Sequence, residues 1–263
     1  MKIISSIMIA LAAPVAADSI SPFHINDFEG FDIIIVGETH DDPTHHQMQA
    51  DIITTVYPTA VIFEMLTKAQ AEAVTPDRRD SPDLGELLAW EDSGWPAFEI
   101  YAPIFAALGD AAIIGAAASE AQAAQARDDS AAAFGNGAGR FGLTADLPAA
   151  EQLTREADMQ AGHCGALPDE MLPWFVDQQR FRDAMFARAA LNAFEELGGP
   201  VVVITGNGHA RTDWGMPVYL DAAAPDVKVL SIGQITEHDV DRPYDLWRIT
   251  PPVDRPDPCA AFQ

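Results

Sequence analysis

Phe31-Asp-Ile-Ile-Ile-Val-Gly-Glu-Thr-His40 and, far downstream, Val201-Val-Val-Ile-Thr-Gly-Asn-Gly-His209 decide how this chain is read. Each opens as an uninterrupted run of β-branched apolar residues, the pattern of a strand buried on both faces of a parallel sheet, and each closes on Gly-x-x-His. The glycines mark the strand ends, where a residue without Cβ is expected to let the chain turn sharply. Polar side chains just beyond then point into the crevice above the sheet's carboxyl edge, where open α/β sheets bind ligands. One Gly-x-x-His is a trivial motif. Two of them, each directly after an Ile/Val run, point to histidines that converge; the plainer alternative is that both only cap strands.

Working outward, Asp42-Pro43 opens a helix, with Asp42 as N-cap and Pro43 in the first helical position. Its apolar stripe of Met48, Ile52 and Val56 runs toward Pro58, and its amino end presents partial positive charge beside His40. Ala60-Val-Ile-Phe-Glu-Met65 is the second strand, and Glu64 near its end is a third candidate for the crevice. Residues 67–107 read as helical and broken by prolines, with Trp90, Trp95, Phe98 and Tyr101 either as core or as the wall of a flat apolar ligand. A short third strand at 111–115 leads into an Ala-rich helix from Ser119. The glycine-dense stretch 134–142 does not stand between a strand and a helix, so it reads as a loop rather than a phosphate cradle.

Residues 148–162 and 168–197 form two helical patterns flanking His163-Cys164-Gly165. In the second, Phe175, Phe181, Met185 and Leu191 supply the apolar face, and Arg180, Arg182 and Asp183 the polar one. Beyond the second histidine motif, Pro217-Val-Tyr-Leu220 and residues 227–232 read as further strands, and Asp245-Leu-Trp-Arg-Ile249 alternates as an edge strand does. The alternation predicts an α/β fold: a central, mainly parallel sheet, helices on both faces and a helical insertion. One domain over residues 18–263 is expected.

Composition narrows the function classes. With 15 Lys and Arg against 40 Asp and Glu the net charge is −25, which opposes affinity for nucleic acid or anionic lipid. The first 17 residues carry Lys2, an apolar stretch and Val15-Ala16-Ala17, the pattern of a secretory signal peptide, so a periplasmic or secreted location is expected. No later apolar run is long enough for a transmembrane segment. Cys164 and Cys259, the two cysteines of the chain, are expected to pair in an oxidising compartment and pin the Pro-rich tail, the alternative being two unpaired thiols.

Glu38, His40, Glu64 and His209 are residue types that bind a divalent transition metal, or that divide a general base from a general acid. Imidazole and carboxylate ligands suit zinc, manganese or iron better than calcium. Of His45 and His46, neighbours on the helix after His40, one is expected to face the crevice; His46 with Gln49 is the pair to watch. His163 is as readily a structural loop histidine as a site residue, and His24 and His238 read as surface residues.

Taken in order, Gly37-Glu-Thr-His-Asp-Asp-Pro-Thr-His-His46 with Gln49, Phe63-Glu-Met65, Gly162-His-Cys-Gly-Ala-Leu-Pro168, Gln179-Arg-Phe-Arg-Asp-Ala-Met185, Thr205-Gly-Asn-Gly-His-Ala-Arg211 and Gly215-Met-Pro-Val218 resemble the ChaN-like haem-binding uptake proteins. The resemblance implies an exported protein that binds haem or an iron-containing small molecule, with a homodimer as one arrangement. It places His40, His46, Tyr101, Asn207 and His209 among the candidates for the haem pocket, with Tyr101 or a crevice histidine as iron ligand. The wider superfamily, which takes in the Tiki and TraB proteins and resembles the erythromycin esterases, implies the rival reading: a metal-dependent hydrolase using Glu38, His40 and His209, with Glu64 as a further metal ligand. The chain differs from lipoprotein members in having no cysteine just after the leader, and it carries Ala116-Ala-Ala-Ser119 after the third strand, where such proteins often have asparagine.

Overall fold

The computed structural model describes residues 25–237, 239, 241–255, 257, 259 and 260; residues 1–17, expected to be a leader, and His24 and His238 lie outside these described residues. In chain order the elements are β1 (Ile33–Glu38), α1 (Pro43–Val56), β2 (Ala60–Thr67), α2 (Lys68–Ala73), α3 (Leu84–Leu87), α4 (Phe98–Ala106), β3 (Ala112–Ala117), α5 (Glu120–Ala126), α6 (Ser130–Phe134), α7 (Ala149–Gly162), α8 (Leu172–Leu197), β4 (Val201–Gly206), α9 (Asn207–Ala210), α10 (Met216–Ala223), β5 (Val229–Ile235) and β6 (Leu246–Ile249). The strands form one sheet in the order β3-β2-β4-β1-β5-β6, every pair parallel. Helices α2 to α4 form the insertion between β2 and β3.

Parallel pairing is what brings the two histidine motifs together. Ile33 stands opposite Val201, and the register runs through to Glu38 opposite Gly206. From this central pair the chain leaves β1 toward β2 on one side and leaves β4 toward β5 on the other, so a crevice opens at their carboxyl ends. The apolar runs are continuous because both sheet faces are covered. Ile34, Val36, Val202 and Ile204 pack under α1 and α4, while Ile33, Ile35, Val201 and Val203 pack under α8 and α10.

The motif glycines serve a different purpose from the expected sharp turn. Gly206 has φ −64°, and Gly37 is not among the glycines with positive φ. Their need is for close approach: a Cβ on Gly37 would lie 2.4 Å from Asn207 Oδ1, and one on Gly206 would lie 2.8 Å from His40 Nε2. Each motif's glycine thus makes room for a side chain of the other motif.

Asp42 caps α1 as expected, its side chain accepting from Thr44 N at 2.8 Å, and Ser119 caps α5 with a capping box. One expected strand is corrected. Residues 217–220 lie in α10, which starts with Pro217 in its first turn and buries Met216, Tyr219 and Leu220. That i, i+3, i+4 spacing suits a helix face, and a four-residue apolar run cannot by itself distinguish the two structures. Pro103, expected to interrupt the insertion, sits inside α4. Cys164 and Cys259 form a disulfide that ties the tail to the turn between α7 and α8. Among the described residues no helix is long and apolar enough to cross a membrane.

Candidate functional site

Side chains alternate along a strand, and this sorts the acidic candidates onto opposite faces of the sheet. Glu38 leaves β1 on the side of Ile34 and Val36, toward α1 and α4; Glu64 leaves β2 on the side of Ala60 and Ile62, toward α8. On the first side Glu38 is buried in a cage. Tyr101 donates its hydroxyl proton to Oε1 at 2.9 Å, Gln49 Nε2 donates to Oε2 at 2.7 Å, and His40 Nδ1 lies 2.8 Å from Oε1. Burial alone would raise the Glu38 pKa, but hydrogen bonds and charge from His40 and His46 outweigh it and hold it down at about 2. Glu38 is therefore a carboxylate. His40 Nδ1–H must donate to it, and the lone pair of the neutral ring then sits on Nε2.

His40 is the member of this group that reaches out of the cage. Its side chain is 34% exposed, and its ring packs against Trp95 with centroids 4.7 Å apart. Burial works to lower its pKa, but Glu38 and Glu64 together raise it above the ordinary value.

On the second side His209, carried by α9, is clamped between two carboxylates. Its Nδ1 lies 2.6 Å from Asp183 Oδ1 on α8, and its Nε2 lies 3.4 Å from Glu64 Oε1. Glu64 Oε2 in turn accepts from Thr205 Oγ1 and Gly206 N, each at 2.7 Å. Burial opposes the charge on His209, but Glu64 and Asp183 dominate and raise its pKa to about 9. The same contact with His209 overrides burial at Glu64 and depresses its pKa. The two carboxylates thus hold His209 toward its protonated form, even though burial raises the pKa of Asp183.

With its pKa at about 9 folded against 6.5 unfolded, His209 contributes stability that is fully present below pH 6.5 and is lost as pH rises through 9. At about 1.4 kcal/mol per unit this amounts to roughly 3 kcal/mol. Urea midpoints measured from pH 6.5 to 9.5 are expected to fall, and the His209→Gln variant is expected to show a flatter profile. Equal slopes in the two proteins would contradict the clamp.

The two sides meet at a hollow of about 720 Å³. His40, Glu64, His163 and His209 bring polar groups to its wall; Trp95, Phe181, Met185 and Phe186 make much of the rest apolar, and Arg182 supplies a cation. His40, Glu64 and His209 are therefore brought together, and other expected residues are not. Tyr101, fully buried, has its hydroxyl on Glu38 and 3.1 Å from the His40 carbonyl, and burial followed by the charge of Glu38 drives its pKa well above the usual phenol range. His46 is also fully buried and stacks on Tyr101 at 4.0 Å behind the wall. Asn207 spends both ends of its amide on the backbone of Gln234, at 2.6 and 3.0 Å, which fastens α9 to β5. None of these three lines the hollow. His45, the neighbour of His46, accepts from Thr39 N at 2.9 Å and lies 2.8 Å from Thr250 Oγ1, tying the β1–α1 turn to the end of β6.

Of the expected metal set, Glu38 is separated from Glu64 and His209 by the way it faces. Glu38 and Glu64 lie on opposite faces of the sheet, and their oxygens are engaged by hydrogen-bond donors. Among the described residues no three His, Cys, Asp or Glu side chains are grouped to hold a metal ion. The polar face of α8, expected as a helix face only, has a place in the site through Asp183 on His209. Gln179, Arg182, Asp183 and Phe186 fall at i, i+3, i+4 and i+7, a single helix face that closes over the carboxyl edge. A polar pair inside an otherwise apolar stripe was the available signal.

Comparison with known proteins agrees with this architecture. A family profile described as haem-binding uptake, Tiki superfamily, ChaN matches residues 24–220. A solved structure titled as cofacial heme binding to ChaN of Campylobacter jejuni is similar with a TM-score of 0.61 at 16% identity, over 82% of this chain and 86% of that one. A crystal structure of a Bacillus cereus protein aligns with a TM-score of 0.35 at 12% identity, over 82% of this chain and 70% of that one. No curated protein gave a match. With the family profile covering most of its length, the chain belongs to the ChaN family of haem-binding uptake proteins in the Tiki superfamily.

Proposed function

We propose that the protein binds haem in the hollow at the sheet's carboxyl edge, with His40 Nε2 as a ligand to the iron. The observation that carries this reading is the pairing of His40 with Glu38: one ring nitrogen is held by a buried carboxylate while the partly exposed ring lines a largely apolar hollow. A carboxylate behind an imidazole fixes its tautomer and raises its basicity as a metal ligand. The volume of about 720 Å³ lies in the range of cofactor pockets. Trp95, Phe181 and Phe186 suit a flat apolar macrocycle, and Arg182 suits a propionate. When bound, the haem would supply an iron centre for a protein imidazole to ligate. His209 has a different role, keeping the floor of the hollow in place through its two carboxylates.

An exported location accords with this reading, supported by the leader pattern at 1–17 and by the disulfide. Hydrolysis through a metal held by Glu38, His40, Glu64 and His209 finds no support in how those donors face. Titration of the purified protein with hemin is expected to give a saturable Soret shift at one haem per hollow. A linear, unsaturable response matching that of free hemin would overturn the proposal.

A further inference from the structure

The sheet ends differently on its two sides. At one edge β6 is short, carries Arg248 and is followed by Pro251 and Pro252, features that discourage pairing with a further strand. At the other edge β3 reads Ala112-Ile-Ile-Gly-Ala-Ala117, with no charged residue and no proline, and among the described residues it pairs with β2 alone. Ala112 N donates to Thr59 O, on the β2 side, at 2.9 Å. Backbone groups alternate in direction along a strand, so the amides and carbonyls of Ile113 and Gly115 point to the free edge.

This edge runs along a groove of about 530 Å³ between α2 and α8. Ala71 on α2 and Ala189 and Ala193 on α8 bring only methyl groups to its walls, which leaves room for a backbone to approach. Its charged residues are two cations and two carboxylates, Lys68 with Glu72 on α2 and Arg188 with Glu196 on α8. Lys68 and Glu72 pair with each other. Arg188 donates to the Phe134 carbonyl at 2.7 Å and lies 3.8 Å over that residue's ring, but burial lowers its pKa and no carboxylate among the described residues pairs with it. Glu196, exposed, likewise has no ion pair among the described residues. Arg188, Asn192 and Glu196 follow at i, i+4 and i+8, a single stripe of α8 about 12 Å long with a cation at one end, an amide in the middle and an anion at the other.

Such a stripe is complementary to itself turned end for end. A two-fold axis at its middle sets Arg188 against Glu196 twice and Asn192 against its own copy, the reciprocal exchange that an isologous interface requires. The same rotation, taken normal to the sheet, lays β3 antiparallel to its copy. With a net charge of −25, two copies repel one another over most of their surface, and this groove, with its balanced charges, is a place where they can meet. We infer that two copies of the chain join through β3, edge to edge, into one continuous sheet, with Arg188 of each copy on Glu196 of the other. Haem takes no part in this contact, so the dimer is expected in hemin-free protein, and hemin titration reads the hollow separately.

Sedimentation velocity of the hemin-free protein over a wide range of concentration is expected to show a monomer–dimer equilibrium. Glu196→Arg is expected to weaken dimerisation by at least about tenfold, even though it lessens the net negative charge, because it sets like charges against each other twice. Combining it with Arg188→Glu is expected to restore the dimer, since both pairs re-form with their signs exchanged. Amide hydrogen exchange at Ile113 and Gly115 is expected to slow as the wild-type dimer fills and to stay fast in Glu196→Arg. If Arg188→Glu does not fold without the bond to Phe134, Glu196→Arg and the exchange rates decide. A monomer at about 0.1 mM chain would overturn the inference and leave the edge to an extended segment of another protein. A dimer that Glu196→Arg leaves intact, one that forms without slowing exchange at Ile113 and Gly115, or a folded double variant that stays monomeric would overturn it too.

Discussion

His40→Ala is expected to abolish high-affinity hemin binding while leaving the protein folded. The imidazole is one-third exposed at the rim of the hollow, and Glu38 keeps its bonds from Tyr101 and Gln49 when it is lost, so a smaller loss of stability than for Glu64→Ala is expected. Its effect on the ligand is large, because the residue supplies a bond to iron rather than a contact with the macrocycle. Removal of a group behind a metal ligand typically costs about 10–100-fold in affinity, and removal of the ligand itself is expected to cost more than about 100-fold. Glu38→Gln gives the graded comparison. It keeps the shape beside Tyr101 and Gln49 but withdraws the charge that polarises Nδ1–H, so a loss of about 10–100-fold is expected. Hemin titrations of the three proteins, followed by Soret absorbance, check the order. If His40→Ala bound hemin with wild-type affinity and an unchanged spectrum, iron ligation by this residue would be excluded.

Glu64→Ala is expected to produce the largest loss of stability at the site. The substitution takes one of two carboxylates from a buried imidazolium and also strips the acceptor from Thr205 Oγ1 and Gly206 N. Removing one partner of a buried charge pair costs about 3–5 kcal/mol, chiefly because the remaining charge is left without compensation. Glu64→Gln keeps an oxygen for the two donors and is expected to cost less. Combining it with His209→Gln is expected to recover part of that cost, since the buried cation is then gone. Urea midpoints at pH 7 with an unchanged m-value are the measurement. A shift below about 0.5 kcal/mol for Glu64→Ala would mean that the clamp around His209 contributes nothing to the fold.

Much of the architecture was legible in the chain because burial on both faces leaves a local mark. The Ile/Val runs at 33–36 and 201–204 could satisfy their side chains only in the interior of a parallel sheet, and the α1 cap at Asp42 and the proline after it are written in adjacent residues. Parallelism then put Gly37-x-x-His40 and Gly206-x-x-His209 on one edge. The shortest segment, at 217–220, went the other way, since its neighbours at 215–216 and its burial against α8 make it a helix.

What only the tertiary structure decided is which way each polar group faces and what stands behind it. Glu38 and Glu64 look equivalent in sequence, each near the end of an apolar strand, yet registration against β4 sends one toward α4 and the other toward α8. That separation gives two distinct imidazole–carboxylate assemblies, His40 on Glu38 and His209 on Glu64 and Asp183. Tyr101, Asn207 and Asp183 acquired their partners from elements far away in the chain. Local pattern specifies that a residue must be buried or lie at a strand end; its partner depends on strand register and helix docking, which many distant apolar contacts settle together.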